Sequence, residues 1–471
     1  MGKKKQLKNI VYYFGGTLTT AILGMISTPL LTRILSKEVY AQYGMVTTFT
    51  TALSTFLYLG QDEAFMRYFA SRKEGYWKYL ARCMSYPLLL CLLTCLLLIE
   101  PSRRVVSVVF GEGITTSACL MLCVYLLILV IQRFLMLTAR MEEQAMNYSV
   151  SNIATKGIFL GAIAVFYCLI SDVSLERIIV ALTCGVVVAL LINVFAVLSV
   201  KHNENPLGTD VSSKEMLKYG LPLALTMSMG FSIPLVEKLV IRQATNWDVL
   251  AVYTAASIFI TVMNMVKTTV SNIWTPYAYK EYQNEQKFKD TFFNIGISMT
   301  VFVVWILAGT ILTRRWLVLI LDRDYADVMI IAPAIVCGSC FDVLSTIYSI
   351  GIYIKKKTLN RIIVPIVRIL ISVPVLLIGL PVLGLQATGV AYLLSIAVSR
   401  TIEINMALNY YGTGKKNCKL FALMGMSIAV SMLSLFVTSM SFDIVVSVGI
   451  MLTSVLLVRK ELVQAIQWIR K

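Results

Sequence analysis

The stretch IIVALTCGVVVALLINVFAVLSV, residues 178–200, runs for twenty-three residues without a charged side chain. At about 1.5 Å rise per residue, a helix of that length crosses a hydrocarbon core of about 30 Å. On either side of it, similar apolar blocks separated by polar breaks predict spans near 9–33, 39–60, 79–100, 114–138, 149–171, 176–200, 216–241, 247–273, 288–313, 325–352, 361–380, 386–409, 418–437 and 441–459. The blocks are about twice the length of a barrel strand and lack sustained in–out alternation. The expected fold class is therefore an all-α polytopic membrane protein with about 14 transmembrane helices.

Composition supports this. Of the 471 residues, 58% are hydrophobic and only 14% charged, with a mean hydropathy of +0.78. The formal net charge of +17 is carried in short clusters between apolar blocks, not along one face, and no nucleic-acid motif accompanies it. A membrane explains that charge, and no nucleic-acid partner is expected. The block from Ile10 to Thr32, behind Lys3, Lys4, Lys5 and Lys8, is too long for a signal-peptide core and reads as an uncleaved first span.

With the N-terminus inside, roughly 27 Lys and Arg fall in cytoplasmic loops and tails and about 10 outside, which sets the orientation. A multi-pass cell-membrane protein with both termini cytoplasmic follows. Lys355-Lys356-Lys357 and Lys415-Lys416 then lie inside, as does the tail from Arg459 to Lys471. In that tail Leu462, Val463, Ile466 and Ile469 share one helical face, expected to lie along the inner surface. The ten cysteines sit mostly within apolar blocks; Cys337 and Cys340 form a CxxC inside a span, where packing is the expected role and no metal site is implied.

No loop is long enough to hold a domain, so an enzyme is not expected and function must reside in the spans. Gly412-Thr-Gly-Lys415 lacks the first glycine and the Ser/Thr of a phosphate-binding loop, so no nucleotide cofactor is expected. Laying span 1 on span 7 aligns Thr32-Arg33-Ile with Ile241-Arg242-Gln, and Ala41-Gln-Tyr43 with Ala251-Val-Tyr253, at an offset of about 210 residues or six spans. The expected organisation is an N-terminal six-helix lobe (1–200), a cytoplasmic linker (201–215), a second six-helix lobe related by a parallel repeat (216–409), and two further helices with the amphipathic tail (410–471).

Ionisable residues within spans are costly and are candidates for function, with snorkelling as the alternative near helix ends. The repeat makes Lys156 and Arg368 equivalent, two cations suited to an anionic headgroup. Lys267 is either a third cavity cation or a snorkelling one. Asp342, with no partner one turn away, is a candidate for H⁺ or Na⁺ coupling, or else a neutral hydrogen-bonded acid. Arg400 and Glu403, spaced i, i+3, are expected to neutralise each other. Asp62, Glu63 and Arg67 form either a solvated inner rim or a phosphate-recruiting gate. Arg33, Arg242, Glu237 and Lys238 form either an outer gate or surface anchors. His202 is expected to be solvated in the linker, and Tyr68, Phe69, Tyr76, Trp77 and Tyr79 fit an interfacial aromatic belt.

Several stretches resemble the Wzx-type flippases of O-antigen and capsule, in the polysaccharide branch of the multidrug/oligosaccharidyl-lipid/polysaccharide (MOP) exporter superfamily. They are Thr28-Pro-Leu-Leu-Thr-Arg33-Ile-Leu, Leu59-Gly-Gln-Asp-Glu-Ala-Phe-Met-Arg67-Tyr, Leu217-Lys-Tyr-Gly-Leu-Pro-Leu223, Val252-Tyr-Thr-Ala-Ala256 and Trp274-Thr-Pro-Tyr-Ala-Tyr-Lys280. The resemblance implies two lobes around a cationic cavity that opens alternately to each side. It also implies an undecaprenyl-pyrophosphate-linked oligosaccharide as substrate, moved from the cytoplasmic to the outer leaflet for O-antigen, capsule or exopolysaccharide synthesis, with glycan polymerase and glycosyltransferases as partners beside membrane lipids. Arg33 and Arg67 carry over by motif position. Glu237-Lys238 stands where the family often has Asp-Arg, which keeps the charges and loses the bidentate fork. A lipid II flippase or a cation-coupled drug exporter of the same superfamily is the alternative, and a membrane glycan polymerase or ligase a more distant one.

Overall fold

The computed structural model describes every residue except 1–2, 71, 100–102, 112–114, 171–172, 201–210, 282–284, 318, 356, 412–417 and 470–471. His202 and most of the linker, Lys356, and Lys415-Lys416 lie outside the described residues, as do the side chains of the tail beyond Arg459. The chain forms two compact units, Met1–Leu239 and Val240–Lys471, whose boundary falls inside a helix.

The first unit holds α1 (Lys3–Ile34), α2 (Lys37–Leu57), α3 (Gln61–Tyr68), α4 (Tyr76–Ile99), α5 (Arg103–Phe110), α6 (Thr116–Met141), α7 (Ala145–Ile170), α8 (Leu175–Leu198) and most of α9 (Ser213–Ala244). α7 packs on α8 and α1, and α6 on α8 and α4. A Cβ on Gly185 of α8 would lie 2.3 Å from the Thr155 carbonyl oxygen of α7, so this close helix contact needs glycine. Asn193 of α8 donates to Ser151 Oγ of α7 at 2.8 Å, a polar tie between spans. Gly60, at φ +69°, brings the α2–α3 turn against the α9 backbone, where its Cβ would fall 2.1 Å from Gly220 O.

The second unit holds α10 (Trp247–Glu281), α11 (Glu285–Leu317), α12 (Val328–Tyr348), α13 (Ile350–Ile354), α14 (Ile363–Leu383), α15 (Leu385–Tyr411), α16 (Cys418–Phe436) and α17 (Met440–Ile469). α12 is apolar on nearly every face and packs on α10, α11, α15 and α16, which makes it the centre of this unit. Both CxxC thiols are buried there, with Cys340 donating to Val303 O at 3.4 Å. α16 and α17 dock on α11 through Ile297, Val301, Leu423 and Val458. At Val458 (φ −122°, ψ 17°) α17 kinks, where its apolar span gives way to Arg459 and the basic tail.

Thirteen helices among the described residues are long and apolar enough to cross a membrane. The fourteenth expected span, near 39–60, is α2; at 21 residues it has the length, and its run of Thr47, Thr48, Thr50, Thr51, Ser54 and Thr55 lowers its hydropathy. Each of those hydroxyls bonds a carbonyl three or four residues back, so the helix carries them without unpaired donors. The chain is a multi-pass, all-α membrane protein.

Candidate functional site

In the second unit, α12, α13, α14 and α15 line up a ladder of polar side chains. It starts at the end of the unit where α14 begins and α15 finishes. Arg361 donates through Nε to Glu403 Oε1 at 2.7 Å and through Nη1 to the Tyr353 hydroxyl. Glu403 is fully buried and accepts a second bond from Arg400 Nη1 at 2.7 Å, one turn deeper on the same helix. Arg400 Nε donates to Asp342 Oδ1 of α12 at 2.5 Å. Asp342 also feels the charges of Lys267, from α10, and Arg368. Arg368 lies two turns beyond Arg361, about 10 Å along α14, with its guanidinium 5.5 Å from the centre of the Tyr392 ring. The ladder ends where Tyr392 Oη meets Ser339 Oγ at 3.2 Å.

Asp342 is therefore not the lone carboxylate expected from sequence; Arg400, on another helix, neutralises it. The i, i+3 pairing of Arg400 with Glu403 is present, as one rung of a longer array. Four cations (Lys267, Arg361, Arg368, Arg400) face two carboxylates (Asp342, Glu403), a formal surplus of two positive charges. The side chains of Arg361 and Arg400 are 33% and 19% exposed.

The first unit places its charges differently. Asp62 is buried and accepts from Arg133 of α6, itself 31% exposed, at 2.8 and 3.3 Å, so this member of the expected rim is paired and not solvated. Glu63 is half-buried; burial pushes its carboxyl above the ordinary range, and the Asp62 charge adds to this against Arg133 and Arg140. Arg67 is exposed, with its guanidinium 4.3 Å from the Tyr219 ring centre. Lys156 is half-buried on α7. Glu237 and Lys238 are both buried, and the Lys238 ammonium donates to Gly44 O and Thr48 Oγ1 of α2, each at 2.8 Å. Arg33 is exposed at the end of α1, and Arg242, in the second unit, stacks 4.8 Å from the Trp247 ring centre. Phe69, Tyr76 and Tyr79 do not form an interfacial belt. The α3–α4 turn folds them into an aromatic core with Phe65, where Tyr76 and Tyr79 bond Thr138 Oγ1 and Phe65 O; only Trp77 is well exposed.

A family model described as "Polysaccharide biosynthesis protein" matches residues 6–280, well over half of the chain. The chain belongs to this family. Among solved structures, this polysaccharide biosynthesis protein is similar to lipid II flippase MurJ in an inward closed conformation, with a TM-score of 0.63 at 15% identity over 95% of this chain and 99% of that one. It is also similar to a MATE family multidrug resistance transporter of the MOP superfamily, in an inward-facing conformation at TM-score 0.63, 14% identity, 85% and 96% coverage. An outward-facing MATE structure gives 0.56 at 15% identity over 88% and 97%. These likenesses fix the fold as that of the MOP exporters. No curated protein matches by sequence.

Sequence reasoning on this family member missed Arg133, Arg361, Arg314 and Asp443. Arg133, Arg361 and Asp443 fall within expected spans, so charge inside or at the edge of an apolar block was the available signal. Arg314, 1% exposed, pairs with Asp443 at 2.5 Å and also donates to Ser434 O and Val437 O, each at 2.7 Å, fastening α16 and α17 to α11.

Proposed function

We propose that this protein is a flippase that carries an undecaprenyl-pyrophosphate-linked oligosaccharide from the cytoplasmic to the outer leaflet by alternating access, for surface polysaccharide synthesis. The observation that carries this reading is the ladder's surplus of two positive charges. A pyrophosphate diester carries two negative charges, and in a low-dielectric site it needs charge-assisted partners to replace its water. The guanidiniums of Arg368 and Arg400 supply forked donors, and Lys267 a point charge. Asp342 is the coupling group: when the headgroup takes Arg400, Asp342 accepts a proton or a Na⁺ in its place. Lys156 is the matching cation of the first lobe, and Lys238 and Arg67 act as gate residues. Family membership supports glycosyltransferases and a polymerase as the proteins that supply and consume the cargo.

Lipid II carries the same pyrophosphate, and the likeness to MurJ favours it as the second reading. Cation-lined rungs suit a cationic drug poorly.

The test replaces Lys267 and Arg368 together by Gln. Surface glycan is expected to vanish while the protein persists in the membrane; unchanged glycan refutes the reading. Rescue of cells depleted of their lipid II flippase by the wild-type chain would select the second.

A further inference from the structure

The end of the second unit where the ladder starts carries two tyrosines held in place by adjacent residues. Arg361 donates to the Tyr353 hydroxyl and lies over the same ring, 5.1 Å from its centre. Asn360, the preceding residue, donates to the Tyr410 hydroxyl, and the Lys357 ammonium sits 4.5 Å from the centre of that ring. One dipeptide, Asn360-Arg361, thus fixes both rings, and Tyr353 remains 37% exposed.

Two ordinary explanations fit poorly. Core tyrosines in this chain are buried, as Tyr348 and Tyr79 are at 0% and 2% exposure. Interfacial tyrosines keep an apolar body in lipid and a hydroxyl for headgroups or water. Here both hydroxyls are bonded by the chain's own donors and both rings lie against cations. The arrangement yields rigid, part-exposed aromatic faces beside donors. Arg361 has five N–H groups, of which the bonds described engage Nε and Nη1, and Lys357 has three. A carbohydrate presents the complementary surface, with C–H faces for the rings and hydroxyls for the donors. Rings already immobilised lose little entropy on binding.

We infer that Tyr353 and Tyr410, bracketing Asn360-Arg361, form a saccharide-binding subsite at the entrance to the ladder. It holds the sugars of the cargo while the rungs beyond hold its pyrophosphate. Arg361 joins the two, since it touches the Tyr353 ring on one side and Glu403 on the other. The inference rests on the flippase reading for the lipid part of the ligand, and on the tyrosines alone for the sugar part.

The test uses the full-length chain in nanodiscs and three probes: lipid-linked oligosaccharide extracted from the host membrane, undecaprenyl pyrophosphate without sugar, and the oligosaccharide released from the lipid. Replacing both Tyr353 and Tyr410 by Leu should weaken the glycolipid at least about tenfold and abolish saturation-transfer signals from the free oligosaccharide. Undecaprenyl pyrophosphate should bind within about twofold of wild type. Replacing both by Phe keeps the faces and should stay within about threefold for all probes, which separates a platform from a fold defect. Equal weakening of the glycolipid and undecaprenyl pyrophosphate, or no weakening of either, overturns the inference. If wild type binds the free oligosaccharide through these tyrosines but neither lipid probe, the flippase reading fails and the saccharide subsite stands.

Discussion

Arg314 and Arg400 belong to the same unit and each meets a carboxylate at 2.5 Å, yet their surroundings differ. Arg314 is 1% exposed and spends four of its five N–H groups on Asp443 and on two carbonyls at the α16–α17 turn, with Arg315 Nε 3.9 Å from the same carboxylate. Arg400 is 19% exposed, is shared by two carboxylates, and stands in an array with excess positive charge. A saturated, desolvated pair has nothing left to offer a ligand and serves to fasten helices. An under-matched, part-exposed array holds charge in reserve, and such groups in a membrane are candidates for a transport path. Proximity to an opposite charge does not separate the two cases; saturation does.

The largest effect expected from this contrast is on stability. Replacing Arg314 by Ala strips the buried Asp443 of its forked partner and leaves it only Arg315, whose Nε stands 3.9 Å away, at a cost of about 3–5 kcal/mol. A thermal-shift assay on detergent-solubilised protein should show a collapsed transition or loss of folded material. The R314A/D443A double variant should recover much of it, and its transport per folded molecule should match wild type. A double variant that is folded but inactive would place Arg314 in the transport path and erase the contrast.

Arg400 to Gln is expected to do the reverse. Glu403 keeps Arg361, and Asp342 keeps the charges of Lys267 and Arg368, so the stability loss should be smaller, about 1–3 kcal/mol. Transport should fall at least about tenfold in the folded fraction, and, on the proposed coupling through Asp342, its pH dependence should change. A variant with normal transport and normal pH profile would reduce this rung to scaffolding.

The helices were legible in the sequence because the membrane imposes one length and one polarity on each. Even α2, rich in threonine, read as a span from its length and its neighbours. The ladder was legible by composition and, in its pairings, only at the local rung of Arg400 with Glu403. Lys267, Asp342 and Arg368 stood out as charges in apolar blocks, but Asp342 finds Arg400 fifty-eight residues away, and Asp62 finds Arg133 seventy-one away. Helix periodicity reaches only one turn, so no local rule couples such pairs. The aromatic run from Tyr68 to Tyr79 misled for a related reason. Its composition matches an interfacial belt, while the turn between α3 and α4 decides that most of it faces inward. Glu237-Lys238 reads as a charged pair in the sequence; the attachment of Lys238 to Gly44 and Thr48 depends on backbone geometry that residue type does not encode.

The smallest effect expected concerns Glu63, beside the Asp62–Arg133 pair. Arg133 is claimed by Asp62, so Glu63 shares a half-buried site with a like charge and its carboxyl is held above the ordinary range. A carboxyl raised on folding binds its proton more tightly in the native state. Stability is then highest below the ordinary glutamate range, declines as pH rises through it, and levels off above the raised native value. Glu63 to Gln removes that charge. Wild type and variant should share a thermal midpoint near pH 4 and diverge by pH 8, with Gln the more stable. The gain should stay near 0.5 kcal/mol, because water screens a half-exposed group. An equal or lower midpoint for Gln at pH 8 would mean that Glu63 is matched by a cation after all. The Asp62 site would then be a shared array like that of Arg400, and not a matched pair like that of Arg314.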